Sequence, residues 1–250
     1  MKKLLFTIFF IFTFMFNANA SGLLSYKYAS KVLVLMYHKL SENPAEWSDF
    51  CTSPQNFEND IIYLKSKGYV FKTASELAAE QPDESQKIAI LTFDDGYKSD
   101  YTYALPILEK HSAKATFFVI GGFVGMTDYL DEASLKKLSE SPLAEIGNHS
   151  YDLHKKKYTE IFELQNSNKY LDAVNDFEKN ALYLENVIGK AVKSLSYPNG
   201  IYSEKVNSQI MQNNVSITFS TGCEKYVYKL KRPVGRKNRA HKLSVESIIK

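Results

Sequence analysis

The stretch Ile88-Ala89-Ile90-Leu91-Thr92-Phe93-Asp94-Asp95-Gly96 constrains this chain more than any other. Its first half is an unbroken apolar run rich in β-branched residues, the pattern of a strand covered on both faces. It ends in two adjacent carboxylates and a glycine. Strands of parallel α/β architectures present their chemistry at their C-terminal ends, which puts the acid pair at the mouth of a pocket. Neighbouring carboxylates repel, and burying both without a cation costs several kcal/mol. A divalent ion held by one of them removes that cost and leaves the other free as a base. Asp-Gly is also among the commonest turn dipeptides, so this stretch alone leaves a plain turn open.

Similar runs return along the chain. Val32–Tyr37 stops at His38, Ala115–Ile120 at Gly121-Gly122, Ala144–Asn148 at His149, and Leu195–Tyr197 at Pro198-Asn199-Gly200. Tyr69–Phe71 and Val215–Phe219 are further short strands, with another at Val227–Leu230. Between them, Phe57, Ile61, Ile62 and Leu64 fall at helical spacing before Lys67-Gly68, a good helix end. Helices are also expected from Ser75 as N-cap, over Tyr103–His111 with Pro106 kinking it or near its start, over Asp131–Ser139 and over Glu204–Gln212. Tyr170–Ile188 carries Leu171, Val174, Phe177, Ala181, Leu184 and Ile188 on one stripe. Lys155–Lys169 shows no period and reads as a long loop, and the tail from Leu243 as a terminal helix. Strands alternating with helices imply one parallel, barrel-like β/α domain with no internal boundary.

The first twenty residues have a different character. Lys2 and Lys3 precede an apolar run from Leu4 to Phe16, and Ala18-Asn19-Ala20 is a small-x-small cleavage site. This is the pattern of a signal peptide, residues 1–20, removed to leave residues 21–250 as the catalytic domain in a secreted or periplasmic location. The run is short for a membrane span, which needs about 20 residues, so the membrane enters only through an uncleaved leader. Removing two lysines and no acids from the formal charge of +3 leaves +1 on a mature chain of 230 residues. That balance gives no case for nucleic acid, and the basic residues of Lys225–Lys242 read as a solvated face. Cys51 and Cys223 would meet an oxidising compartment; whether they pair, and the oligomeric state, stay open.

Five histidines occur, and two of them, His149 and His154, flank one loop just after a strand end. With a strand-end Asp from elsewhere they make the donor set of a catalytic Zn²⁺ site, with Co²⁺ and Ni²⁺ overlapping in preference. Their i,i+5 spacing places them on an irregular loop. Tyr97 and Tyr151 either line the cleft or simply pack.

Thr92-Phe93-Asp94-Asp95-Gly96, His149-Ser150-Tyr151-Asp152-Leu153-His154 and Tyr197-Pro198-Asn199-Gly200 resemble three successive motifs of the polysaccharide deacetylases, carbohydrate esterase family 4. The resemblance extends to Met36-Tyr37-His38, Phe57…Gly68-Tyr69 and Leu230–Val234, and is nearest to exported poly-β-1,6-N-acetylglucosamine N-deacetylases. It implies a distorted (β/α) barrel that removes N-acetyl groups from N-acetylhexosamine units of an acetylated glycan. Asp94 would be the base, with Asp95, His149 and His154 holding one divalent metal ion. His38 would be the acid, because the C-terminal Leu-x-His motif of most members is missing and His241 sits in a basic, polar segment. The main chain at Asn199 would face the oxyanion. Many members carry an arginine before the proline of the third motif to orient the base; Ser196-Tyr197-Pro198 has none, so that tuning must come from elsewhere or be weaker. Asp152 would be exposed or stand behind the ligands. The rival readings are a carbohydrate-binding protein on the same scaffold and an O-acetyl esterase.

Overall fold

The computed structural model describes residues 31–79, 83, 85–222 and 233–249. The leader, Cys223, the Val227–Leu230 strand and most of the Leu230–Val234 match therefore lie outside the described residues. The strands are β1 (Val32–Tyr37), β2 (Lys39–Leu40), β3 (Cys51–Thr52), β4 (Tyr69–Phe71), β5 (Lys87–Asp95), β6 (Ala115–Val119), β7 (Ala144–Asn148), β8 (Ser194–Ser196), β9 (Ile217–Thr221) and β10 (Val234–Asn238). The helices are α1 (Pro54–Ser66), α2 (Ala74–Ala79), α3 (Leu105–His111), α4 (Glu132–Glu140), α5 (Tyr158–Asn166), α6 (Tyr170–Ile188), α7 (Glu204–Ile210) and α8 (Val245–Ile249). Among the described residues no helix is long and apolar enough to cross a membrane.

The sheet runs β5-β6-β7-β8-β9-β10-β1, all parallel, and β1 also pairs with β5, so seven strands close into a barrel. The register sets Val32 against Ile88 and Tyr37 against Phe93, so His38 leaves β1 where Asp94 ends the buried part of β5. Successive side chains alternate in and out. Ala89, Leu91 and Phe93 point outward onto the helices, packing with Phe57, Ile61, Leu64 and Leu108. Phe93 stacks between Tyr37 and Phe117, with Phe57 against it edge-on. Ile88 and Ile90 point inward with Val34, Phe118, Phe219 and Val234 to fill the barrel. Thr92 and Asp94 continue that inward row toward the mouth.

Below, β4 pairs with the first residues of β5 and leads into α2, whose Leu77 is fully buried in the inner core. The Ala74 N–H donates to Thr116 Oγ1, and Ser75 donates through both N–H and hydroxyl to Glu145, so α2 plugs the bottom of the barrel. Ser75 is therefore not the cap expected from sequence. Thr73 is: its hydroxyl accepts from the Glu76 N–H while Glu76 accepts from the Thr73 N–H. Pro106, with no N–H to give, falls in the first turn of α3, behind a wide π-turn at Asp100–Ala104.

Two further expectations fail. Most of the segment expected as a loop, Lys155–Lys169, is helix α5; few of its side chains are buried, Ile161 and Gln165 among them, so no apolar period announces it. Leu171 faces solvent, while the buried face of α6 carries the polar Asn180. The basic C-terminal segment is also no plain solvated face, because Arg236 and Arg239 are both buried. Arg239 forks onto Asp60 of α1, which also accepts from the Tyr37 hydroxyl.

This pair ties the end of the barrel sheet to α1, and removing one partner strands the other. Arg239→Met should lower stability by about 3–5 kcal/mol, and the Asp60→Asn/Arg239→Met double variant should recover a large part of it. Urea unfolding of the three proteins measures both; equal losses in single and double variants would show that packing, not the stranded charge, matters there.

Candidate active site

Asp94 is buried inside the barrel mouth. Two oxygens without a counter-charge would be costly there, and Arg236 of β10 supplies it. Its Nη1 donates to Asp94 Oδ1 at 2.6 Å and its Nη2 to Oδ2 at 2.7 Å, a forked pair. The remaining guanidinium donors reach Thr92 Oγ1, Ser196 Oγ and the Ser220 carbonyl, and the cation lies over the Phe118 ring. Burial by itself would raise the Asp94 pKa, but the Arg236 charge and fork, helped by His149, hold the carboxyl well below its usual range. The arginine that the third motif lacks thus has a counterpart from a strand 40 residues further on. Arg236 was hidden in the sequence by its basic neighbours; the only signal is that Val234 and Arg236 share an alternating face.

Asp95 closes β5 in a left-handed conformation (φ 78°), and its Oδ1 lies 3.5 Å from the same His149 Nε2 that Asp94 Oδ2 approaches at 3.6 Å. It is largely buried, and burial raises its pKa despite His149 and a hydrogen bond from the Tyr97 hydroxyl. Tyr97 itself stacks on Tyr129. His149 leaves the end of β7, and its Nδ1 sits 2.8 Å from the Ser196 carbonyl, to which it donates, so that Nε2 is the nitrogen turned toward the cluster. His149 Nε2 lies 2.9 Å from His154 Nε2 and 3.5 Å from Asp95 Oδ1, with His154 4.0 Å from the same oxygen. Burial, and then the neighbouring His149, push the His154 pKa down to about 2.

Donor atoms of Asp95, His149 and His154 all lie within 4.8 Å of one another. A tetrahedral ion with ligands at about 2.0–2.2 Å needs ligand atoms roughly 3.3–3.6 Å apart, so the three residues fit one small divalent cation. Asp94 Oδ2 stands 3.6 Å from His149 Nε2, beside this cluster. His38, across the β1–β5 pair, is mostly buried. Burial lowers its pKa, Asp94 and Asp95 oppose that, and the Phe50 ring stands edge-on 5.0 Å away.

The loop carrying His149 and His154 is held from below by α6. Asn148 Oδ1 accepts from the Ser150 N–H and from Asn180 Nδ2, and Asn180 also bonds both Val119 and Gly121 backbone. Asp176 accepts the N–H groups of Tyr151 and Asp152. A side chain at Gly121 would drive its Cβ to 2.2 Å from Asn180 Oδ1, so this approach requires glycine. Sequence reasoning missed Asn148, Asp176 and Asn180; a buried polar residue on a helix stripe gives no signal until the loop it serves is seen.

The other candidates separate. Tyr151 packs edge-on against Tyr183 under the Lys179 ammonium, and Asp152 pairs with Lys155 and Lys179 at the surface. Asn199 is exposed at the end of β8 in a left-handed turn (φ 54°). His241 stacks on Trp47 instead of joining the cluster, and His111 pairs with Glu58.

A closed parallel β/α barrel with two histidines and two aspartates at its C-terminal mouth defines a class of hydrolase scaffold. Residues 81–218 match the profile of the polysaccharide deacetylase family, and the chain belongs to that family. It is 27% identical to a Staphylococcus aureus poly-beta-1,6-N-acetyl-D-glucosamine N-deacetylase over 224 residues, 82% of this chain and 77% of that one. It is 29% identical over 182 residues to YxkH of Bacillus subtilis, named for the same family, covering 70% of this chain but only 59% of the relative's length. The solved structure of IcaB from Ammonifex degensii superposes with a TM-score of 0.71 at 23% identity, over 88% of this chain and 95% of that one, which speaks for the fold.

Asp176→Ala should leave two loop N–H groups without acceptors and cost about 1–3 kcal/mol. Hydrogen exchange at Tyr151 and Asp152 should quicken while the barrel strands stay protected. Unchanged exchange at those two amides would show that α6 does not hold the loop.

Proposed function

We propose that this protein removes N-acetyl groups from N-acetylhexosamine units of an extracellular or cell-surface glycan, releasing acetate and a free amine. The observation that carries this reading is the convergence of Asp95, His149 and His154 at the barrel mouth with the ionised Asp94 beside them. Membership of the polysaccharide deacetylase family and the likeness to poly-beta-1,6-N-acetyl-D-glucosamine N-deacetylases support it.

Asp95, His149 and His154 would hold one divalent ion; two imidazoles and a carboxylate suit Zn²⁺, with Co²⁺ and Ni²⁺ close to it. Such an ion supplies Lewis-acid polarisation at the acyl oxygen. Asp94, kept ionised by Arg236, takes the proton of the attacking water as its oxygen adds to the acetamide carbon. Charge then develops on the acyl oxygen, and the Asn199 main-chain N–H would donate to it. His38 donates a proton to the departing nitrogen as the C–N bond breaks. Burial lowers the His38 pKa, and the Asp94 and Asp95 carboxylates offset that only in part.

Acetate release from acetylated glycans, with and without chelator, is the direct test. Asp95→Asn should weaken metal affinity by at least about tenfold and activity with it. Asp94→Asn should keep the metal yet lose about 10²–10⁴-fold in kcat. His38→Ala should also keep the metal, and its defect should shrink on an activated acetyl ester, which has a good leaving group. An Asp94→Asn protein that stays fully active with metal bound would remove the base from this mechanism.

The leader reading is carried as part of the same proposal: Lys2, Lys3 and Ala18-Asn19-Ala20 give an exported protein whose mature chain starts at Ser21. N-terminal sequencing of the cell-associated protein should return Ser21; Met1 or Lys2 there would mean an anchored form.

A further inference from the structure

A cavity of about 910 Å³ opens at the surface, and its lining includes none of His38, Asp94, Asp95, His149 and His154. It is built by the segments that follow β1, β5 and β10, so it lies on the same C-terminal rim of the barrel. Trp47 and His241 form part of its wall. Their rings stack at 4.2 Å, nearly parallel.

This pair is fixed in place. The Trp47 indole N–H donates to the Ser41 carbonyl, the His241 N–H donates to the Ser48 carbonyl, and the His241 ring nitrogen meets Asn56 Nδ2 and Thr52 Oγ1. With its N–H satisfied at the edge and one face covered by His241, the Trp47 ring has its other face left to serve as an apolar plate. Around it stand neutral polar groups, Gln55, Asn56 and Thr102, and two carboxylates, Glu42 and Glu58. Lys110 and His111 already engage Glu58. Acidic side chains at the wall disfavour an anionic polymer. An aromatic plate ringed by amides and hydroxyls suits a pyranose, which has an apolar C–H face and a polar edge.

The segment from Ser41 to Phe50 joins this cavity to the chemistry. At one end the Phe50 ring, 61% exposed, stands over His38; three residues earlier Trp47 faces the cavity. The parallel β2–β3 pair pins this arm, with the Lys39 N–H donating to the Phe50 carbonyl. A sugar chain leaving His38 along the arm passes Phe50 and then reaches Trp47.

We propose that the cavity is a second sugar subsite, which takes a neutral or amine-bearing hexosamine unit of the same glycan whose neighbouring unit reacts at the barrel mouth. The Trp47 ring meets the C–H face of that unit, and Asn56, Gln55 and Thr102 meet its hydroxyls. The proposal rests on the deacetylase reading for the identity of the glycan, but its binding test does not need turnover.

Trp47 is the one tryptophan of the chain, so its emission reports the cavity. The mature protein carrying Asp94→Asn is titrated with N-acetylglucosamine and with its β-1,6-linked tetrasaccharide. The tetrasaccharide should shift the emission saturably, and Asn56→Ala and His241→Ala should weaken that binding at least about tenfold, a change of ~1.4 kcal/mol. In the otherwise native protein, Trp47→Ala should lower kcat/KM on the tetrasaccharide at least about tenfold more than on an aryl acetate, which is too short to reach the cavity. Tetrasaccharide that binds by calorimetry with unchanged emission, or with equal affinity in Asn56→Ala, overturns the subsite. So does a Trp47→Ala defect of the same size on both substrates. Emission that shifts without any acetate release by the native protein keeps the subsite and removes the deacetylase reading; acetate release with Trp47→Ala matching wild type on the tetrasaccharide does the reverse. No binding and no release overturn both.

Discussion

The fork between Arg236 and Asp94 holds together what would otherwise be incompatible: a barrel interior packed with Phe118, Phe219 and Ile90, and an ionised carboxylate inside it. Neither charge is tolerable alone at that depth. The guanidinium is tolerated because it donates to Asp94 of β5, Thr92 of β5, Ser196 of β8 and Ser220 of β9. These contacts exist only if β10 returns to β1 and closes the sheet. The chemistry of the site and the closure of the barrel therefore depend on each other, and the last strand of the chain is as much part of the site as the Asp-Asp pair.

The His149 loop solves a different problem. Two imidazoles five residues apart converge only if the chain between them turns sharply, and Ser150 does so in a left-handed conformation (φ 72°) that a serine adopts at a cost. Asn148 accepts the Ser150 N–H and Asp176 those of Tyr151 and Asp152, while Asn180 holds Asn148 in place by donating to its Oδ1. The support comes from α6, a long helix whose stability rests on Val174, Phe177, Leu184 and Ile188. Rigid packing far from the mouth is thus converted into ring positions at the mouth.

Strands β1, β5 and β6 were legible because each opens as a nearly continuous apolar run of the kind found where both faces are covered, and the shorter β7, β8 and β9 because each falls in its turn between helices. Asp94, Asp95, His149 and His154 were legible because they sit at those ends. What was not legible shares one physical cause. The last strand, β10, reads Val-Gly-Arg-Lys-Asn, and its inward position is filled by a charge whose burial depends on partners more than a hundred residues away. Helix α5 shows few buried side chains, and Asn180 is polar on an apolar stripe. Local pattern reports which residues avoid water, not which polar groups have found partners elsewhere.

The two adjacent aspartates show how far environment decides role. In the sequence Asp94 and Asp95 are interchangeable. In the fold, one alternation step puts Asp94 inside the barrel, on Arg236, and Asp95, in its left-handed turn, stands beside His149 and His154. Their pKa values are driven in opposite directions. Asp94 is held low by a fixed internal cation; Asp95 is raised by burial that His149 and Tyr97 only partly offset. A carboxylate that already owns a cation stays ionised and has little to gain from a second. A buried carboxylate without one has more to gain from a cation beside it. Two environments thus drive neighbouring, chemically identical acids apart, and that separation supports the proposed division of base and ligand between them.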